Sequence, residues 1–171
     1  GIGMTLLPVL YQTSGFGGQP ARKDQARFIR STDNMLSLLQ RLAPAAQAQA
    51  AVLGLAPHSL RAVTPDSLRE AVAGITALSP QAPIHIHIAE QTQEVDDCTA
   101  HTGQRPIEWL LDHAKVDARW NLVHATHTTP AELAGVQRTG ASIVICPATE
   151  ANLGDGVFDL PGYAAVGGTW S

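Results

Sequence analysis

Continuous apolar runs alternate along the chain with apolar positions at helical spacing. Residues 4–11 (MTLLPVLY) form the first run and predict a buried strand, followed by the glycine-rich loop Ser14-Gly15-Phe16-Gly17-Gly18. Met35, Leu38, Leu39 and Leu42 recur at helical spacing behind the caps offered by Ser31, Thr32 and Asp33, which predicts a helix over 32–42. Pro44 is expected to end that helix or begin a looser Ala/Gln-rich stretch. Strands are predicted at 50–56, 83–89, 120–126 and 142–146. Helices are predicted from Thr64-Pro65 to about Leu78, from Pro106 to Ala114, and from Thr129-Pro130 to a left-handed cap at Gly140. The segment after Glu90 reads as polar, and that after Cys146 as a long Gly-containing loop reaching Tyr163 and the strand-like Thr169-Trp170-Ser171.

The order of elements predicts an α/β fold, a parallel sheet covered by helices in one domain. Its strands suit either an open doubly wound sheet or most of an eight-stranded barrel, which needs about 250 residues. The chain has 171 residues, and both ends read as cuts through the middle of a fold.

Composition narrows the function classes. The net charge is −4, and Lys and Arg are scattered, so nothing in the sequence points to nucleic acid or an anionic membrane. Two separated cysteines, Cys98 and Cys146, make no disulfide framework and imply a reducing, cytoplasmic setting. No run approaches the roughly 18 apolar residues of a membrane span.

Chemistry in parallel α/β folds collects at the carboxyl ends of strands. His58, His87, Glu90, His124, His127, Glu150 and Asn152 all end or follow predicted strands. In Pro83-Ile-His-Ile-His-Ile-Ala-Glu90, alternation puts Ile84, Ile86 and Ile88 on one face and His85 and His87 on the other. Two inward imidazoles fit a metal or polar substrate better than a plain core, because each ring nitrogen needs a partner. His85 lies deeper and is read as a packing or supporting residue. Glu90, at the mouth, is placed as a proton shuttle beside water at a metal. His124 is the better site residue on the next strand, and His127 is expected to shape the loop. His58 and Arg61 suit a carboxylate substrate, since a guanidinium fork matches a carboxylate; the alternative is a capping histidine and a solvated arginine. The glycine-rich loop lacks phosphate-binding patterns and reads as a mobile loop over the site with Tyr11 beneath it. Cys146 reads as an ordinary buried cysteine.

His-Ile-His-Ile-Ala-Glu90-Gln, Val-His124-Ala-Thr-His and Cys146-Pro-Ala-Thr-Glu-Ala-Asn-Leu-Gly-Asp-Gly156 resemble the amidohydrolase superfamily. Leu-Tyr11-Gln with Gly-Phe-Gly-Gly, and Ala-Pro-His58-Ser-Leu-Arg61-Ala-Val, are similar to its formiminoglutamate deiminases. The resemblance covers essentially the whole chain. It implies a (β/α)8 barrel of which this chain is an internal segment, about strands 3 to 7, truncated at both ends. It implies one divalent metal, usually zinc, with His87 as ligand, Glu90 as proton shuttle and His124 polarising the substrate or the attacking water. His58, Arg61 and Tyr11 would hold the substrate. The implied reaction is hydrolysis of N-formimino-L-glutamate to N-formyl-L-glutamate and ammonia in histidine breakdown, by a cytoplasmic homodimer.

The chain departs from that pattern. The His-x-His pair of a first strand and the Asp of an eighth are not in it, and Ala148 stands where Thr is expected. With His87 as the single remaining ligand, where a catalytic zinc generally has three, the chain alone is expected to bind metal weakly and not to turn over. Open sheet edges and an exposed apolar face are expected to drive association or poor solubility. Two other readings remain: a nucleobase or nucleoside deaminase of the same superfamily, and a non-catalytic α/β binding domain.

Overall fold

The computed structural model describes residues 2–171. The described residues form two compact units that divide between His85 and Ile86.

In the first unit the predicted strand at 4–11 is two short pieces, β1 (Thr5–Leu6) and β2 (Val9–Leu10). Pro8, which has no N–H for a ladder, lies between them. The run at 50–56 is divided in the same way into β3 (Val52–Leu53) and β4 (Ala56–Pro57). β1 pairs in parallel with β3, and β2 with β4. Between β3 and β4 the chain switches partners: Leu55 bridges to Ile84, its N–H donating to the Pro83 carbonyl at 3.0 Å. Gly54 permits this approach, because a Cβ there would strike the Pro83 carbonyl oxygen and the Leu7 side chain.

Helix α1 (Thr32–Ala48) begins at Ser31, whose Oγ accepts the Asn34 N–H at 3.2 Å. It runs through Pro44, against the expectation that proline would end it or begin a looser Ala/Gln-rich stretch. The ring removes one backbone donor but does not stop the alanine-rich turns that follow it, since Ala is the strongest helix former. Helix α2 (Pro65–Leu78) has the predicted Thr64 cap and buries Leu68, Ala71 and Ile75 along one stripe. A 3-10 helix occupies Lys23–Phe28.

The sheet of the second unit has the order β5-β6-β7-β8, comprising β5 (Ile84–Ile88), whose first two residues belong to the first unit, β6 (Trp120–His124), β7 (Ser142–Val144) and β8 (Thr169–Trp170). β6, β7 and β8 are parallel, with Leu122 opposite Ile143 and Ile143 opposite Trp170. The predicted alternation holds on β5: the three isoleucines are buried, and His85 and His87 are half-buried. On β6, Trp120, Leu122 and His124 share the buried face. Helices α4 (Pro106–His113) and α5 (Pro130–Thr139) lie where the pattern put them, and Gly140 caps α5 at φ 78°.

Two predicted loops are helical. The polar segment after Glu90 is α3 (Thr92–Thr102), which buries Glu94, Val95 and Cys98 on one side. The stretch after Cys146 holds α6 (Pro147–Leu153) and α7 (Leu160–Ala165). Each of these starts with Pro in its first turn, α6 closes on a left-handed Gly154, and both are too short for periodicity to show.

Candidate functional site

The first unit holds Tyr11, His58 and Arg61. Tyr11 follows β2 and His58 follows β4, so the pairing of those strands sets them side by side. Their rings meet edge to face at 4.7 Å. The His58 N–H is tied to the Leu10 carbonyl at 3.0 Å, and its Nδ1 lies 3.1 Å from Ser59 Oγ. The Tyr11 hydroxyl accepts from Gln25 Nε2 at 2.9 Å. Tyr11, His58 and Arg61 line one cavity of about 680 Å³ together with Arg22, Gln25 and Arg27. Arg22, 3.3 Å from Asp24, holds that carboxyl below the usual range. The glycine-rich loop is a closed turn: Gly15 bridges Gln19, and Gly17 and Gly18 take φ of 75° and 73°.

The second unit holds the groups at the ends of β5 and β6. The His87 and His124 rings are 5.5 Å apart, centre to centre. His124 is held from both sides. Its Nε2 lies 3.3 Å from Glu90 Oε1, and its Nδ1 lies 3.1 Å from Glu150 Oε1. Both strand ends turn through unusual backbone. Ala89 has φ 50°, and His124 and Ala125 have 72° and 50°. Left-handed residues other than glycine carry strain on the order of 1–3 kcal/mol, which the surroundings must over-determine.

The restraint on Glu90 is visible. Glu94, at the third position of α3, accepts the Ala89 N–H on one carboxylate oxygen and the Glu90 N–H on the other, each at 3.1 Å. The restraint on β6 is backbone: the Ala125 N–H donates to Ile88 O and the His127 N–H to Ala89 O, both at 3.0 Å. His127 also offers its carbonyl to Arg105 Nη2 at 2.6 Å. Glu94 lay outside the sequence reading, although an acidic residue at the third helical position after a strand end is a capping signal. Glu150 was seen only as a residue after a strand; its bond to His124 is long-range and has no local signature.

The donor types at these ends, two imidazoles and the Glu90 carboxylate, are those zinc takes. Among the described residues, the three ligand-type side chains whose donor atoms converge within 4.8 Å are His124, Cys146 and Glu150, a group without His87. That group is better read as a hydrogen-bonded network. Glu150 Oε1 already accepts the Cys146 N–H at 2.8 Å as well as facing His124. Burial, with the carboxylates of Glu150 and Glu90 nearby, pushes the Cys146 thiol up and away from the thiolate a metal needs.

A parallel α/β frame with histidines and a glutamate at the ends of neighbouring strands is the setting of a hydrolytic active site. The model of the amidohydrolase family matches residues 6–168, and the chain belongs to that family. It is 54% identical to the formimidoylglutamate deiminase of Pseudomonas aeruginosa over 98% of this chain and 36% of that protein. A crystal structure of an amidohydrolase from Brucella melitensis superposes with a TM-score of 0.92 at 50% identity, over 99% of this chain and 37% of the other. An adenosine deaminase from Xanthomonas campestris, solved with bound zinc, shares the fold at TM-score 0.75 and 23% identity, over 96% of this chain and 36% of the other. The chain thus spans about a third of the length of the relatives it matches, as part of a (β/α)8 barrel. No described helix is long and apolar enough to cross a membrane.

Proposed function

We propose that the complete protein hydrolyses N-formimino-L-glutamate to N-formyl-L-glutamate and ammonia, a step of histidine breakdown, with one divalent metal and in the cytoplasm. The observation that carries the reading is the Glu90–His124 pair, 3.3 Å apart at the ends of neighbouring strands, in a chain so similar to a formimidoylglutamate deiminase.

His87 would supply one nitrogen to the metal. A bound divalent ion makes water a competent nucleophile near neutral pH. The remaining work falls to side chains of this chain. Glu90 takes a proton from water as its oxygen bonds to the formimino carbon and delivers it to the imino nitrogen as the C=N bond becomes single; it then takes the proton of the new hydroxyl as the carbonyl forms and passes it to the same nitrogen, so that the C–N bond breaks and ammonia leaves. His124, through Nε2, steadies the charge that develops at the reacting carbon's substituents. Arg61, with His58 and Tyr11, binds a carboxylate of the substrate through the guanidinium fork. A homodimer is part of the proposal.

The test is ammonia release from N-formimino-L-glutamate by the zinc-loaded complete gene product, beside its Glu90→Ala variant. Release that falls by about 100-fold or more in the variant supports the reading. No release by the parent overturns the substrate, and release from adenosine in its place would move the protein to the nucleoside deaminases.

A further inference from the structure

We infer that Glu150 is a positioning residue for His124: it fixes the ring's tautomer and turns Nε2 toward Glu90. The inference rests on the proposed role of His124 but not on the identity of the substrate.

Glu150 sits on α6, and its side chain is 5% exposed, as is that of His124. Its Oε1 faces two groups at once, the Cys146 N–H at 2.8 Å and His124 Nδ1 at 3.1 Å. The amide must donate, so Oε1 accepts. A carboxylate oxygen that accepts an amide has no proton to give the imidazole, so Nδ1 must carry the hydrogen and donate as well. In the neutral ring Nε2 is then the acceptor that faces Glu90 Oε1, 3.3 Å distant, and it becomes the donor that steadies developing charge once Glu90 shares with it the proton taken from water.

The backbone makes this restraint necessary. His124 itself is left-handed at φ 72°, the last residue of β6 and one beyond its last pairing with β7 at Val123. Sheet geometry therefore does not aim its side chain, and a fixed anchor behind the ring supplies what the strand does not. The α6 start supplies the anchor, since the bond to the Cys146 N–H holds the carboxylate in one orientation. Partners behind a metal-ligating imidazole are typically worth about 10–100-fold in activity or metal affinity, and the same magnitude is expected for His124, which works beside the proposed ligand His87.

The test combines tautomer-resolving nitrogen NMR of the His124 ring, assigned with a His124→Asn variant, with steady-state kinetics, using the complete gene product. The parent is expected to show Nδ1–H. Glu150→Gln keeps an oxygen for both donors and is expected to keep that tautomer with activity within about 10-fold of the parent. Glu150→Ala is expected to lose the fixed tautomer, with kcat down about 10–100-fold and KM within about twofold. Nδ1–H persisting in Glu150→Ala, or lost in Glu150→Gln, overturns the inference. Should Glu150→Ala not fold, the parent and Glu150→Gln spectra still decide. A parent that fails to release ammonia yet shows the Nδ1–H dependence would leave the positioning intact and overturn the substrate alone.

Discussion

Replacing Arg105 by Met should destabilise the protein by about 3 kcal/mol, the lower end for breaking a buried ion pair. The Glu132 side chain is fully buried and that of Arg105 is 29% exposed. Glu132 Oε2 accepts from Arg105 Nε at 3.0 Å and from the Thr129 N–H at 2.8 Å, while Oε1 has no hydrogen-bond partner. Methionine keeps the side-chain volume but leaves the carboxylate with one backbone donor, and it strips the His127 carbonyl of the 2.6 Å bond from Nη2. Breaking a buried pair by removing one partner costs about 3–5 kcal/mol, and the partial exposure of Arg105 lets water recover some of it. Glu132→Gln keeps the cap on Thr129 and strands no anion, so it should cost only about 1–2 kcal/mol. The decisive variant is the double one: with no charge to strand, Arg105→Met with Glu132→Gln should be more stable than Arg105→Met alone by about 1 kcal/mol or more. Urea unfolding followed by circular dichroism reads all three. A single variant within about 0.5 kcal/mol of the parent, or a double variant no better than the single, would refute the buried-charge argument.

Gly54→Ala should cost about 2 kcal/mol or more by overpacking, because its Cβ meets the Pro83 carbonyl, a backbone atom that cannot swing aside; the unfolding midpoint checks it. Glu94→Ala frees two backbone donors next to Glu90 and should lower kcat by about 10-fold while costing about 1–3 kcal/mol, and a variant with parental kinetics would exclude the restraint on Glu90. Burial holds the Tyr163 phenol above its ordinary value, so the folded state keeps a proton that the unfolded state releases. Its contribution to stability is therefore complete below about pH 10 and declines as pH rises further. Tyr163→Phe should flatten part of that alkaline decline in denaturation curves, while losing the bond to the Ala141 carbonyl at a cost of about 1 kcal/mol at neutral pH.

The strands and long helices were legible because their physics is local. Alternation on Pro83–Ala89 separated the isoleucines from His85 and His87, and Thr64-Pro65 and Thr129-Pro130 marked helix starts at the right residues. The motifs around Glu90 and His124 also carried the family resemblance, which the family match bears out. Other features escaped. α3 is polar on most of its surface, and its buried side consists largely of Glu94, Val95 and Cys98, so its apolar stripe is thin. α6 and α7 are too short for a period, and α1 continues through Pro44 because the helix formers beyond it outweigh one lost donor. The support behind the site was hidden for a different reason. Glu150 meets His124 across 26 positions of sequence, a pairing that only the folded chain creates.

The left-handed Ala89, His124 and Ala125 have a consequence for how such a scaffold diversifies. Strand register is intolerant, since a slip of one residue turns every side chain to the opposite face. The left-handed turns at the strand ends, pinned to each other by the His127 N–H to Ala89 O bond, separate the ladder from whatever follows them. Insertions or exchanges beyond Glu90 or His127 would rebuild the loops without shifting Ile88 or Leu122. The same frame can therefore accept new specificities by recombination at its rim, while replacing Ala89 or Ala125 by a β-branched residue would close that route by making the reversal itself untenable.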